Sequence, residues 1–312
     1  MADWSKLPPG IEVEFFQEHL VDEDQLVEQL KDFELVQGMR ERTPFPRSVL
    51  TRLPNLRLLI TTGRRNASFD IEAANELGIT VCGTDGGGEG TTELTWGLML
   101  SMLRHIPEEE QRSRAGNWGT TLGVGVKGKT LGLIGLGHIG SLVAKVATAF
   151  DMRIIAWSQN MTRQRAEECG ATLDKKTLFE ESDIVSVHLV LSDRTRGLVG
   201  SSELALMKPS AYIVNTSRGP IIDEKALIDV LERKAIAGAA LDTFDVEPLP
   251  QGHPLFKTPN TLICPHLGYA IDDSYHAFYS GIIENVRAFT SGEPLRVIDE
   301  SVLTSSQFRG YR

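Results

Sequence analysis

The chain has 312 residues, enough for two ordinary domains with a core each. Hydrophobic residues make up 41% and charged residues 24%, the balance of a soluble folded protein, and the net charge of −10 argues against nucleic acid, which needs a concentrated basic face. Three cysteines, Cys82, Cys169 and Cys264, are too few and too scattered for a disulfide framework or a zinc site, so no metal is expected. The opening MADWSKLPPG lacks the order of a secretory leader, and the longest apolar stretch, around Leu94 to Leu103, is about half of a bilayer span. A cytoplasmic protein with no membrane partner is expected.

Short apolar runs alternate with amphipathic segments, the pattern of βα units and parallel sheets. Strands are predicted at 12–16, 34–36, 57–61 and 79–81, with helices at 24–30, 48–53 and 71–77 between them, a small doubly wound unit. It ends in the glycine-rich stretch Gly83 to Gly90, read as part of a crossing between domains. A long helix at 92–104 follows, then a polar, glycine-bearing segment to about 129. From 130 the alternation restarts more strongly, with strands at 130–134, 153–157, 184–188, 211–215, 237–242 and 261–264. Helices at 138–150, 163–169, 201–207 and 224–233 separate them, and a last helix at 272–290 precedes a short tail. Six strands with intervening helices, opened by a glycine turn, are the make-up of a dinucleotide-binding domain.

That turn is Gly135-Leu136-Gly137-His138-Ile139-Gly140, directly after the apolar run TLGLI and at the start of an amphipathic helix. Gly135 permits the tight turn, Gly137 lets the backbone approach a pyrophosphate, and Gly140 lets helix and strand pack closely, while the helix N-terminus attracts the anion. An NAD-selective site normally ends its second strand with Asp or Glu for the ribose hydroxyls. Here the strand RIIAW runs into Ser158-Gln159-Asn160, with no carboxylate between Asp151 and Glu167. A hydroxyl, an amide and the nearby Arg163 and Arg165 would accept a 2′-phosphate. NADP(H) is therefore favoured, with Ser158, Gln159 and Arg163 as contacts; if the arginines are only solvated helix charges, NAD(H) fits equally.

Hydride transfer to a 2-oxo acid also needs a cation for the carboxylate and carbonyl, an acid for the forming alkoxide, and a carboxylate that keeps that acid charged. Such groups belong at the carboxyl ends of the strands. Three segments qualify: Asn215-Thr216-Ser217-Arg218-Gly219-Pro220, Asp242 to Glu247-Pro248, and Cys264-Pro265-His266-Leu267-Gly268. Taken singly, Arg218 could be a surface charge, Glu247 a turn residue and His266 a core histidine.

The segments NTSRGPIIDE, ALDTFDVEP and CPHLGY resemble the signature motifs of the D-isomer-specific 2-hydroxyacid dehydrogenases, and the likeness runs from about Leu58 to Ile298. The resemblance implies an α/β protein with a Rossmann-type dinucleotide-binding domain (99–285) and a smaller, flavodoxin-like substrate domain (1–98 with 286–312), closing on a cleft. It implies that Arg218 binds the substrate carboxylate and carbonyl oxygen, that His266 donates the proton in reduction, and that Glu247 hydrogen-bonds His266 and favours its charged form. Cofactor contacts would fall on His138, Ile139, Ser158, Thr195, Thr216 and Asp242, with Ser217 and Gly268 beside them. A homodimer through the helices around 92–120 is also implied.

The sequence departs from the family at Thr62-Gly63-Arg64-Arg65-Asn66-Ala67-Ser68, where two arginines and an asparagine replace small residues of a carboxylate-binding loop. Arg65 and Asn66 are candidate substrate contacts suited to a polar 2-oxo acid, the alternative being that they face solvent and cap the next helix. The expected substrate is glyoxylate, hydroxypyruvate or a related acid. Formate oxidation on the same scaffold is the nearest rival, but those relatives carry glutamine where Glu247 stands; a dinucleotide-sensing corepressor is the rival outside catalysis.

Overall fold

The computed structural model describes every residue except Met1, His19, Val21, Gly87, Cys169, Gly170 and Arg312; the expectations for Gly87 and Cys169 thus lie outside the described residues. Two compact units make up the chain, one of residues 1–87 with 271–312 and one of residues 88–270. Both junctions precede the expected ones at 98/99 and 285/286, since each falls at the start of a helix that packs as a single rod. Glu89–Leu103 lies along the larger sheet and Asp272–Thr290 along the smaller.

The smaller unit holds three parallel strands, β1 (Leu35–Gly38), β2 (Leu58–Thr61) and β3 (Thr80–Cys82), in that order. Alternation along the strands sends Leu59 and Val81 to a core with Leu26, Val49, Leu50 and Ala73 of the helices Glu23–Leu30, Arg47–Leu50 and Ile71–Glu76. Leu58, Ile60 and Cys82 point the other way, onto Ile282, Val286 and Phe289 of the Asp272–Thr290 helix. Asp22 and Asp70 start two of these helices by accepting from the amides of Gln25 and Ala73 at 2.9 and 2.8 Å. The strand expected at 12–16 does not form. Phe15 packs edge-on against Trp4 and Phe16 against Phe33, so aromatic contacts replace a ladder there.

The larger unit holds seven parallel strands, β4 (Thr130–Ile134), β5 (Arg153–Trp157), β6 (Ala171–Leu173), β7 (Ile184–Val187), β8 (Tyr212–Asn215), β9 (Gly238–Leu241) and β10 (Thr261–Ile263). Their order is β10-β9-β8-β7-β4-β5-β6, the Rossmann order extended by one strand. All six predicted strands are present. The seventh, β6, is a three-residue edge strand paired with β5, too short to carry a period in the sequence. Two helices were also unread, Ile106–Arg114 and Lys175–Glu181, and both are polar on most of their length. The chain builds β4, β5 and β6 outward, then returns to β7 on the other side of β4. The crevice at that reversal, outside the carboxyl ends of β4 and β7, is where such sheets bind ligands. Among the described residues no helix is long and apolar enough to cross a membrane.

Candidate active site

At the end of β4, Gly135 has φ +103, a left-handed conformation that side chains disfavour, and a Cβ there would lie 2.4 Å from the His188 carbonyl oxygen. At Gly140 a Cβ would lie 2.2 Å from the Gly135 carbonyl oxygen, so strand, turn and helix meet as backbone on backbone. Gly137 caps the helix His138–Ala149 without any side-chain hydrogen bond, and a Cβ built on it meets nothing within 4 Å. Open helix amides facing unfilled space fit the pyrophosphate of a dinucleotide. His138 is exposed and Ile139 half-buried at this end. His188, across the turn, lies 2.9 Å through Nε2 from Ser186 Oγ, and burial lowers its pKa to about 4, which fits a neutral lining residue.

Beyond β5, Ser158 is half-buried at the strand end, and Gln159 donates its amide to the Arg194 carbonyl at 2.8 Å. Arg163 is exposed and makes no hydrogen bond or ion pair among the described residues. Arg165 is the guanidinium that reaches the glycine turn. It donates to Ser141 Oγ at 2.7 Å and to the Leu136 carbonyl at 3.4 Å, with Glu168 beside it at 3.3 Å. About half a turn of helix separates the two arginines, and only the second faces back over the sheet end.

Three loops at the carboxyl ends of β8, β9 and β10 carry the remaining residues. After β8, the Asn215 side chain accepts from the Ser217 amide and donates to the Arg218 carbonyl, both at 3.0 Å, which fixes the turn that presents Arg218. Arg218 Nη1 donates to the Ser217 carbonyl at 2.8 Å. The next residue, Gly219, lies so close to the β9 loop that a Cβ would fall 2.1 Å from the Phe244 carbonyl carbon. The Phe244 amide in turn donates to Glu247 Oε1 at 2.9 Å, and the other oxygen, Oε2, meets His266 Nδ1 at 2.5 Å. Arginine loop, glutamate and histidine are thus joined through one backbone contact and two hydrogen bonds.

His266 itself has φ +52, a strained conformation for a residue with a Cβ. Asp242, fully buried at the end of β9, holds it there: Oδ1 accepts from the Leu267 amide at 2.7 Å and Oδ2 from the Gly268 amide at 2.9 Å. Burial pushes the Asp242 carboxyl up, opposed by those two amides and by the His266 charge. Burial and the neighbouring Asp242 carboxylate push the Cys264 thiol up to about 11.

Several predicted contacts serve the fold. Ser217 Oγ donates to the Leu189 carbonyl. Thr195, almost wholly buried, donates to the Val190 carbonyl at 2.8 Å and accepts from the Ser192 amide at 2.7 Å, closing its own loop. In the smaller unit, Asn66 is 5% exposed and its amide nitrogen donates to the Arg40 carbonyl and Thr61 Oγ1, while its oxygen accepts from the Ser68 amide. Both donor hydrogens of the Asn66 amide are thus engaged by Arg40 and Thr61, so the side chain ties this loop to neighbouring segments. Arg65 beside it is exposed. Sequence reasoning missed Asn215 and Gly219 as positioning residues, although an asparagine two residues before a serine amide is an Asx-turn signal.

A profile of the D-isomer specific 2-hydroxyacid dehydrogenase NAD binding domain matches residues 96–268, which contain the loops of Arg218, Glu247 and His266. The chain belongs to the D-isomer-specific 2-hydroxyacid dehydrogenases. It is similar to a glyoxylate reductase of Aeropyrum pernix, 40% identical over 83% of this chain and 81% of the relative. A glyoxylate reductase of Thermococcus litoralis is 38% identical over 83% and 82%. Among solved structures, a phosphoglycerate oxidoreductase from Vibrio cholerae matches with a TM-score of 0.87 and 37% identity, over 92% of this chain and 93% of that one. The protein is therefore an NAD(P)-dependent oxidoreductase of 2-oxo and 2-hydroxy acids.

Proposed function

We propose that this dehydrogenase reduces a small 2-oxo acid, glyoxylate or hydroxypyruvate or a close relative, to the D-2-hydroxy acid, with His266 as proton donor. The observation that carries the reading is the 2.5 Å bond from His266 Nδ1 to a Glu247 carboxylate whose other oxygen is anchored on the Phe244 amide. With Nδ1 so engaged, Nε2 is the atom left to give a proton to the carbonyl oxygen. Arg218 binds the substrate carboxylate and polarises the carbonyl, and Glu247 orients the imidazole through Nδ1. Bound NAD(P)H supplies the hydride to the carbonyl carbon. One hydride and one proton convert C=O to CH–OH, and the reverse step returns the proton to His266. The glyoxylate reductases among the relatives support this substrate class.

The absence of a carboxylate at Ser158 and the placement of Arg165 on the glycine turn support NADPH as the preferred cofactor. A homodimer through the helices around 92–120 is inferred from the family likeness and from Ile106 and Trp118, which are 52 and 88% exposed. The free thiols Cys82 and Cys264 suit a cytoplasmic setting.

The test is a spectrophotometric screen of 2-oxo acids against NADPH and NADH. Consumption of reduced cofactor with glyoxylate or hydroxypyruvate, and a higher kcat/KM with NADPH, is expected. No turnover with any 2-oxo acid defeats the reading, and preference for NADH defeats its cofactor part.

A further inference from the structure

Two threonines on the Glu89–Leu103 helix, neither belonging to any motif, connect the loop of Arg218 with the loop of His266. Thr95 Oγ1 lies 2.7 Å from Thr216 Oγ1, at the end of β8, and 2.7 Å from the carbonyl oxygen of Thr91 one turn back. Thr91 Oγ1 donates to the Gly268 carbonyl at 3.0 Å, and the Gly268 amide is one of the two held by Asp242. Thr95 is fully buried, so its hydroxyl has no bulk water as an alternative partner, while Thr216 keeps 6% of its surface open. Threonines four residues apart share a helix face, and here that face spans two catalytic loops.

The geometry points to a fixed direction for these protons, and from it we propose that Thr95 is a positioning residue that makes Thr216 a hydrogen-bond acceptor towards the dinucleotide. Thr95 has two contacts and one proton. The Thr91 carbonyl can only accept, so the Thr95 proton is committed to it. The contact between the hydroxyls then needs a proton from Thr216, and this is the only assignment that gives each contact a hydrogen. Thr216 has no proton left for a ligand. Towards the dinucleotide it offers lone pairs, and selects a hydroxyl or N–H donor there. The proposal rests on the reading of Thr216 as a cofactor contact, given above.

The test measures binding of NADPH and NADH by nicotinamide fluorescence, beside kcat and melting temperature. Thr95→Val keeps the shape and removes the acceptor, so Thr216 recovers a free proton. The dissociation constant of the preferred cofactor is expected to rise about tenfold, the size of one neutral hydrogen bond. Thr95→Ser restores the hydroxyl and is expected to return within about twofold of the parent. If one contact is responsible, Thr95→Val combined with Thr216→Val is no weaker than Thr216→Val alone. Unchanged binding in Thr95→Val, failure of Thr95→Ser to rescue, or additive losses in the double variant each overturn the proposal. A parent protein that binds neither cofactor overturns the functional reading itself, which separates the two failures.

Discussion

Gly219→Ala tests the joint between the arginine loop and the glutamate. The added Cβ would sit 2.1 Å from the Phe244 carbonyl carbon, 2.3 Å from its oxygen and 2.5 Å from its Cα, all of them backbone atoms with no side chain to swing aside. The two loops must part by about 1.3 Å before ordinary van der Waals distance is reached. That separation moves Arg218 away from Phe244, whose amide holds Glu247 and through it His266. Misplacing a reacting group by about 1 Å costs on the order of 100-fold in rate, while overpacking of this kind costs about 1–3 kcal/mol of stability. Steady-state reduction of the best 2-oxo acid, with cofactor binding and melting curves measured on the same preparations, separates these effects. We expect kcat/KM to fall about 100-fold, the melting temperature to drop by a few degrees, and cofactor affinity to hold within about threefold. A variant with kcat/KM within about threefold of the parent would refute the argument that this contact aligns the catalytic loops.

Glu247→Gln keeps the shape but removes the anion beside His266 Nδ1, and we expect kcat to fall by about 100-fold with circular dichroism unchanged; an active variant rejects the proposed role. His188 is held at about 4 in the fold against an ordinary 6.5, so the unfolded chain takes up that proton first. Stability should therefore fall as the pH drops from about 6.5 towards 4, and denaturant titrations of His188→Asn should show a shallower fall over that window; equal slopes would contradict the assignment. With its thiol raised to about 11, Cys264 should be alkylated by iodoacetamide at a rate that climbs about tenfold per pH unit through pH 8–10, read by mass spectrometry. A plateau below pH 10 would show a more acidic thiol.

The larger sheet was legible because β4, β7, β8 and β9 are buried on both faces and so read as continuous apolar runs bounded by turns. The loops of Arg218 and Glu247 were legible for a related reason, since they follow β8 and β9 directly, whereas the loop of His266 follows β10, a half-buried strand of three residues. Local composition misled at 12–16, where an alternating pattern had no neighbouring strand to pair with. It was also silent on which of Arg163 and Arg165 turns towards the glycine loop, a matter of helix phase that a helix of six residues hardly reveals. The tethering of Asn66 was not legible because a side chain's hydrogen bonds depend on partners far along the chain, here Arg40, 26 residues away. The threonine pair stayed hidden for the same cause: Thr95 and Thr216 are 121 residues apart and meet only once the helix lies on the sheet.

The buried carboxylate of Asp242 has a kinetic corollary. A loop secured at two adjacent main-chain amides by one buried side chain resists opening at either, since the second bond keeps the backbone in place when the first is stretched. Leu267 and Gly268, though they lie outside any helix or strand, should exchange their amide protons with solvent as slowly as the sheet interior does. The segment that carries His266 would then be among the least mobile irregular segments of the molecule.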